Sequence, residues 1–255
     1  MLAFVQAQPW ELHPEKYTSA AVVQGNSRPS DPPAPENLYY VIVTLSHLQH
    51  DVNEVMEQIR VCGTYTSLKG AKAAARSCLF DAGFAREWFH EYDVGEDGTD
   101  EGPNGQAVHA VAPDGTVFTV SVATAANTNK LRSDNDSDDG LIERDLYHVL
   151  QTTVDHCSGS EDGGKRQTDV EGSFATFDEA RRFAASVLLC PEDGITKDSF
   201  AEYSEAGPGE ADCGYSEDVV VHAVGQQNGV NYLVRVVKTE ELEAVRQAHA
   251  AARIR

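Results

Sequence analysis

The spacing of apolar residues changes character at Leu38. Before it, residues 1–37 show no sustained period, and four prolines fall between Arg28 and Glu36. Proline cannot continue a helix or sit in a central strand, so this stretch reads as an N-terminal arm. From Leu38 the run "LYYVIVTL" is continuously apolar and β-branched, which predicts a buried strand. "QIRVCGTY" predicts a second short strand. In "TSLKGAKAAARSCLFDAG", Leu68, Ala71, Ala75, Cys78 and Leu79 recur three or four residues apart. That spacing predicts an amphipathic helix, with Ser67 as its N-cap and Gly83 just beyond its C-terminus. "EWFHEYDV" predicts another strand. "AVHAVAPDGTVFTVSVA" predicts a hairpin, because Pro113-Asp114-Gly115 sits between two alternating runs.

A polar stretch, residues 126–144, interrupts the pattern and reads as an acidic linker. The same order then returns. "DLYHVLQT" matches the first strand, and "VEGSFATFDEARRFAASVLL" matches "VCGTYTSLKGAKAAARSCLF". Gly63 aligns with Gly172, Ala71 with Ala180, Phe89 with Phe200 and His109 with His222, and the separation drifts only across predicted loops. In the second copy Thr176 and Glu179 form a capping box, whereas Gly70 replaces that glutamate in the first. The expected architecture is α+β: a tandem duplication of a ββαββ unit, with antiparallel sheets, helices on one face and a pseudo-two-fold relation. The two repeats span 38–125 and 145–238, and residues 239–255 read as a C-terminal helix capped by Thr239. Two such units are expected to bury helix faces against each other or to pair edges.

The motif "GTYTSLKGAKAAAR", following a strand and preceding "FHEY", resembles small uncharacterised βαββ proteins of filamentous fungi. The resemblance implies the duplicated module and neither an activity nor site residues. The strand–GxF–helix–strand order is also similar, in topology alone, to peptidoglycan-binding SPOR modules.

Charge narrows the partners. The chain has 41 Asp and Glu against 20 Lys and Arg, a formal net charge of -21. Phosphate backbones and anionic lipid repel such a chain, so direct nucleic-acid or membrane binding is not expected, and a basic protein partner is. An acidic decoy for a basic nucleic-acid-binding site is a further reading of the same charge. No stretch of eighteen apolar residues occurs, and "MLAFVQAQPW" lacks a basic n-region and a long apolar core. Five cysteines, an odd number without a CxxC pair, suggest reduced thiols and a cytoplasmic or nuclear protein.

Candidate chemistry is sparse. "VHAV" occurs twice, placing His109 and His222 at equivalent positions. A three-residue loop at 113–115 sets Ala110 opposite Phe118 and His109 opposite Thr119. The longer second loop sets Ala223 opposite Tyr232 and His222 opposite Leu233. Both histidines then lie on the sheet face away from the helix, as supports of a sheet surface. The alternative is an enzyme or small-ligand site between the repeats, built from His109, His222, Glu91 and Glu202, the glutamates recurring in "F-x-E-Y". His47, His50 and Asp51, or Asp155, His156 and Cys157, supply too few local ligands for a metal and read as loop residues. "GEDGTDEGPNGQ" lacks the spacing of a calcium loop. No phosphate-binding loop, dinucleotide fingerprint or nucleophile elbow is present, so no cofactor is expected. The expected function is that of a non-enzymatic, acidic interaction or scaffold protein, with two modules able to bind bivalently.

Overall fold

The structure, a computed structural model, describes residues 33–47, 58–95, 106–133, 139–155, 165–216, 218–227 and 229–240. They form an α+β protein with two antiparallel five-stranded sheets and two helices. The first sheet contains β1 (Asn37–His47), β2 (Gln58–Tyr65), β3 (Glu91–Val94), β4 (Gln106–Val111) and β5 (Thr116–Ala126), with helix α1 (Leu68–Asp81) between β2 and β3. The second contains β6 (Tyr147–Asp155), β7 (Lys165–Phe174), β8 (Phe200–Glu205), β9 (Val219–Gly225) and β10 (Asn231–Lys238), with helix α2 (Phe177–Ala184) between β7 and β8. Strand orders are β2-β1-β5-β4-β3 and β7-β6-β10-β9-β8.

Each unit is therefore ββαβββ, not the ββαββ read from the sequence. The hairpin supplies two full strands, and "F-x-E-Y" supplies a separate edge strand beside them. Those edge strands are short and largely exposed, and the first of them lies within the predicted strand "EWFHEYDV".

Local sequence explains both helices. Ser67 accepts a hydrogen bond from the Gly70 amide at 3.3 Å, and Gly83 adopts φ 87° just past the C-terminus. Ala71, Ala75, Cys78 and Leu79 seat α1 on Val41, Val43, Val108, Ala110 and Phe118. Thr176 accepts from the Glu179 amide at 3.3 Å, and Ala180 and Ala184 seat α2 on Val149, Val221, Ala223 and Val234. Small residues on the helices let large sheet side chains fill the space between the layers.

The two units meet neither through helix faces nor by pairing edges. They stack through the helix-free faces of their sheets. Alternation sends Leu38, Tyr40 and Ile42 of β1 away from α1, and Leu150 of β6 away from α2. These residues join Ile59, Val61, Leu146, Val170 and Val237 in one buried layer. The layers run helix, sheet, sheet, helix, with β1 and β6 buried on both faces. Stacking wins over edge pairing because it removes this whole apolar surface from water.

The segment read as an acidic linker is packed at both described ends. Asn127 is buried and donates to the carbonyls of Pro35 and Leu131, at 2.9 and 2.8 Å, while the Leu131 amide donates back to its Oδ1. Leu131 and Ile142 enter the layer between the sheets. Further on, the Thr66 amide donates to the Gly140 carbonyl and the Ile142 amide to that of Thr64, so this stretch runs along the end of β2. Gly70 is required here: a β-carbon on it would overlap the backbone carbonyl of Asp139. The glutamate missing from the first capping box is thus excluded by close packing. Residues 134–138, the first 32 residues of the arm and residues 241–255 of the expected C-terminal helix lie outside the described residues.

Candidate functional site

The hairpin registers place the two histidines as expected. Ala110 pairs with Phe118 and His109 with Thr119, and Ala223 pairs with Tyr232 and His222 with Leu233. His109 is half-buried, its other cross-strand neighbour being Asp93. His222 is buried, donates from Nε2 to Asn231 Oδ1 at 3.1 Å, and stacks on Tyr215 with ring centroids 3.9 Å apart. Each histidine is surrounded by its own sheet. His109 belongs to β4 of the first sheet and His222 to β9 of the second. Glu91 and Glu202 are exposed on the edge strands β3 and β8 and face solvent. Of the loop groups, Asp155 ends β6, while His50, Asp51, His156 and Cys157 lie outside the described residues. Among the described residues, no three His, Cys, Asp or Glu side chains converge on a point where a metal could bind.

A polar cluster that sequence reasoning did not single out lies between the sheets. His148 and Tyr40 occupy matching positions on β6 and β1 and meet edge-to-face, with centroids 5.6 Å apart. Ser173 Oγ, on β7, lies 2.9 Å from His148 Nδ1 and donates to the Tyr40 hydroxyl at 2.9 Å. The other imidazole nitrogen, Nε2, lies 2.8 Å from Thr239 Oγ1. The chain thus runs from one sheet into the other and closes on the residue that leaves β10.

A serine hydroxyl against an imidazole is also the contact from which a nucleophile can be built. Here its surroundings argue for another role. Tyr40 and His148 are fully buried and Ser173 is 4% exposed, so no acyl or phosphoryl group can approach the hydroxyl. Burial lowers the His148 pKa to about 3, leaving the ring neutral, and raises the Tyr40 hydroxyl to about 12. Neutral, hydrogen-bonded and sealed, the cluster satisfies its own polar atoms and fixes the register between the sheets.

Three other places bring polar or charged side chains together. Glu171, the extra residue of a bulge in β7, has its pKa raised to about 7, chiefly by burial and then by Asp169. Only two carboxylates meet there. An open hollow of about 400 Å³ is lined by Glu210, Ala211, Asp212, Cys213 and Gly214, all within one loop. Its wall is one short stretch of chain, so it offers no convergent polar groups from different elements. Lastly, a cation stands over the tyrosine of each "F-x-E-Y" stretch: Arg86 over Tyr92 at 5.6 Å and Lys197 over Tyr203 at 5.3 Å.

Comparison with protein-family models, with curated proteins and with solved structures found no match. No described helix is long and apolar enough to cross a membrane.

Proposed function

We propose that this chain is a non-enzymatic interaction protein, a tandem duplication of one ββαβββ unit about a pseudo-two-fold axis, that binds a basic protein partner bivalently. The observation that carries the reading is the pair of equivalent acidic edges. β3 and β8 each end their sheet, and each exposes carboxylates there: Glu91 and Asp93 on one, Glu202 on the other. A free strand edge offers backbone donors and acceptors to an extended peptide, and carboxylates beside it select lysine and arginine. The duplication is supported by the matching strand orders, by bulges after Val41 and Val149, and by the two cation–tyrosine contacts. The net charge of -21 adds long-range attraction for a basic partner.

The test is calorimetric titration of the chain with an extended Lys-rich peptide. The reading expects two peptides per chain, one after Glu91→Gln with Asp93→Asn, and none when Glu202→Gln is added. Affinity should fall steeply with salt, as the screening length shrinks from about 10 Å at 0.1 M to about 3 Å at 1 M. Binding that ignores all three edge changes would refute it. Loss confined to His109→Gln and His222→Gln, with the fold intact, would instead favour the inter-repeat ligand site.

A further inference from the structure

We infer that Cys62 and Cys78 are a closable dithiol, a contacting pair that a small-molecule disulfide converts reversibly into a disulfide joining β2 to α1. Both thiols are free. They come from different elements, and each position has a local cause. Cys62 is the extra residue of the β2 bulge, between Val61, which pairs with Ile42, and Gly63, which pairs with Val41. The bulge turns it from the ladder toward the helix, where it packs against the cluster that contains Cys78. Cys78 lies on the buried face of α1, in the same core cluster that Cys62 packs against, and its thiol is near enough to raise that of Cys62. The remaining described thiols are engaged apart from them. Cys190 Sγ lies 2.7 Å from Asp193 Oδ2, and Cys213 packs near Val154, Val219 and Leu233 of the other sheet.

Exposure sets the order of events. Cys62 is half-buried and Cys78 is 1% exposed, so Cys62 meets the oxidant first. Its thiol loses a proton, and the thiolate attacks one sulfur of glutathione disulfide, expelling one glutathione thiolate and leaving a mixed disulfide. Cys78 then loses its proton and attacks the Cys62 sulfur, expelling the second glutathione. The protein loses two electrons and two protons, and the oxidant gains both as two thiols. The Cys78 contact, burial and Glu240 hold the Cys62 thiol well above its ordinary range, against the opposing pull of Arg60. Closure is therefore slow at neutral pH and accelerates in alkali, which marks the pair as a lock set by ambient redox poise rather than a fast peroxide sensor. In the second unit the matching positions are Glu171 and Val187, so the lock belongs to one half of the molecule.

The experiment treats the folded full chain with glutathione disulfide at about pH 9, then maps disulfides by mass spectrometry. The expected product has lost two hydrogens, retains no glutathione, links Cys62 to Cys78, and reverts with dithiothreitol. Its melting temperature should rise by roughly 5 °C or more, since the link removes conformational freedom from the unfolded chain. Cys78→Ala should trap glutathione on Cys62, because the resolving thiol is gone. Cys62→Ser, a change at a half-buried position, should leave Cys78 unmodified. A stable glutathione adduct on Cys62 of the unsubstituted chain would overturn the inference. So would a link to any other cysteine, or no reaction while the fold persists.

Discussion

Acid should loosen the contact between the two sheets, and His148 sets the scale. Its pKa is about 3 in the folded protein against an ordinary 6.5, because the ring is buried. Below pH 6.5 the unfolded chain takes up a proton that the folded chain refuses. This part of the stability is complete at neutral pH and is lost progressively as pH falls from 6.5 toward 3. At about 1.4 kcal/mol per unit, a fall from 6.5 to about pH 5 removes about 2 kcal/mol. Glu171 acts in the opposite sense. Its folded pKa of about 7 lies above the ordinary 4.5, so its contribution is present in acid and is lost as pH rises through 7. Its partial exposure screens it to about 1–2 kcal/mol, enough to mask much of the histidine effect. The measurement is therefore urea unfolding, followed by circular dichroism, in a Glu171→Gln background at pH 7 and pH 5. The parent should lose about 2 kcal/mol more than the same chain carrying His148→Gln. Equal losses in the two chains would refute the assignment of a neutral, sealed imidazole.

Two further substitutions probe the packing. Gly70→Ala, which stabilises an ordinary helix interior by about 1 kcal/mol, should here cost about 2 kcal/mol, because the new methyl meets the Asp139 backbone; a rise in melting temperature would contradict that contact. Tyr40→Phe should cost about 1–2 kcal/mol at neutral pH in urea unfolding, since the Ser173 hydroxyl loses its acceptor while the ring contact with His148 persists; an unchanged free energy would remove the cluster from the forces joining the sheets.

What the sequence disclosed, and what it hid, follows from distance along the chain. Caps and hairpins are local, so Ser67, Thr176, Gly83 and the Ala110–Phe118 and Ala223–Tyr232 pairs could be read directly. The faces of His109 and His222 followed from those registers. The partners across the sheet stack were not legible. Tyr40 and Ser173 are 133 residues apart, and an apolar run such as "LYYVIVTL" indicates burial without naming what covers each face. His148 looked like one polar residue in a strand, and only its neighbours make it a member of a cluster. Leu131 and Ile142 were lost in an acidic stretch whose average composition says linker, though two apolar side chains suffice to anchor it. The edge strands were legible as "EWFHEYDV" and its counterpart around "FAEY", and the ββαββ label counted one strand too few for the elements read.

The face that each sheet turns toward the other has a consequence for how such a molecule can exist. Cut between β5 and β6, the first half would turn Leu38, Tyr40, Ile42, Ile59 and Val61 outward as a broad oily plate. A plate of that kind would need a second apolar surface to cover it, and cover supplied by a separate molecule depends on how much of that molecule is present. Joining two units in one chain makes that encounter intramolecular and independent of dilution. One side of the central contact is a tyrosine and the other a histidine, an asymmetry that no pair of identical subunits could hold.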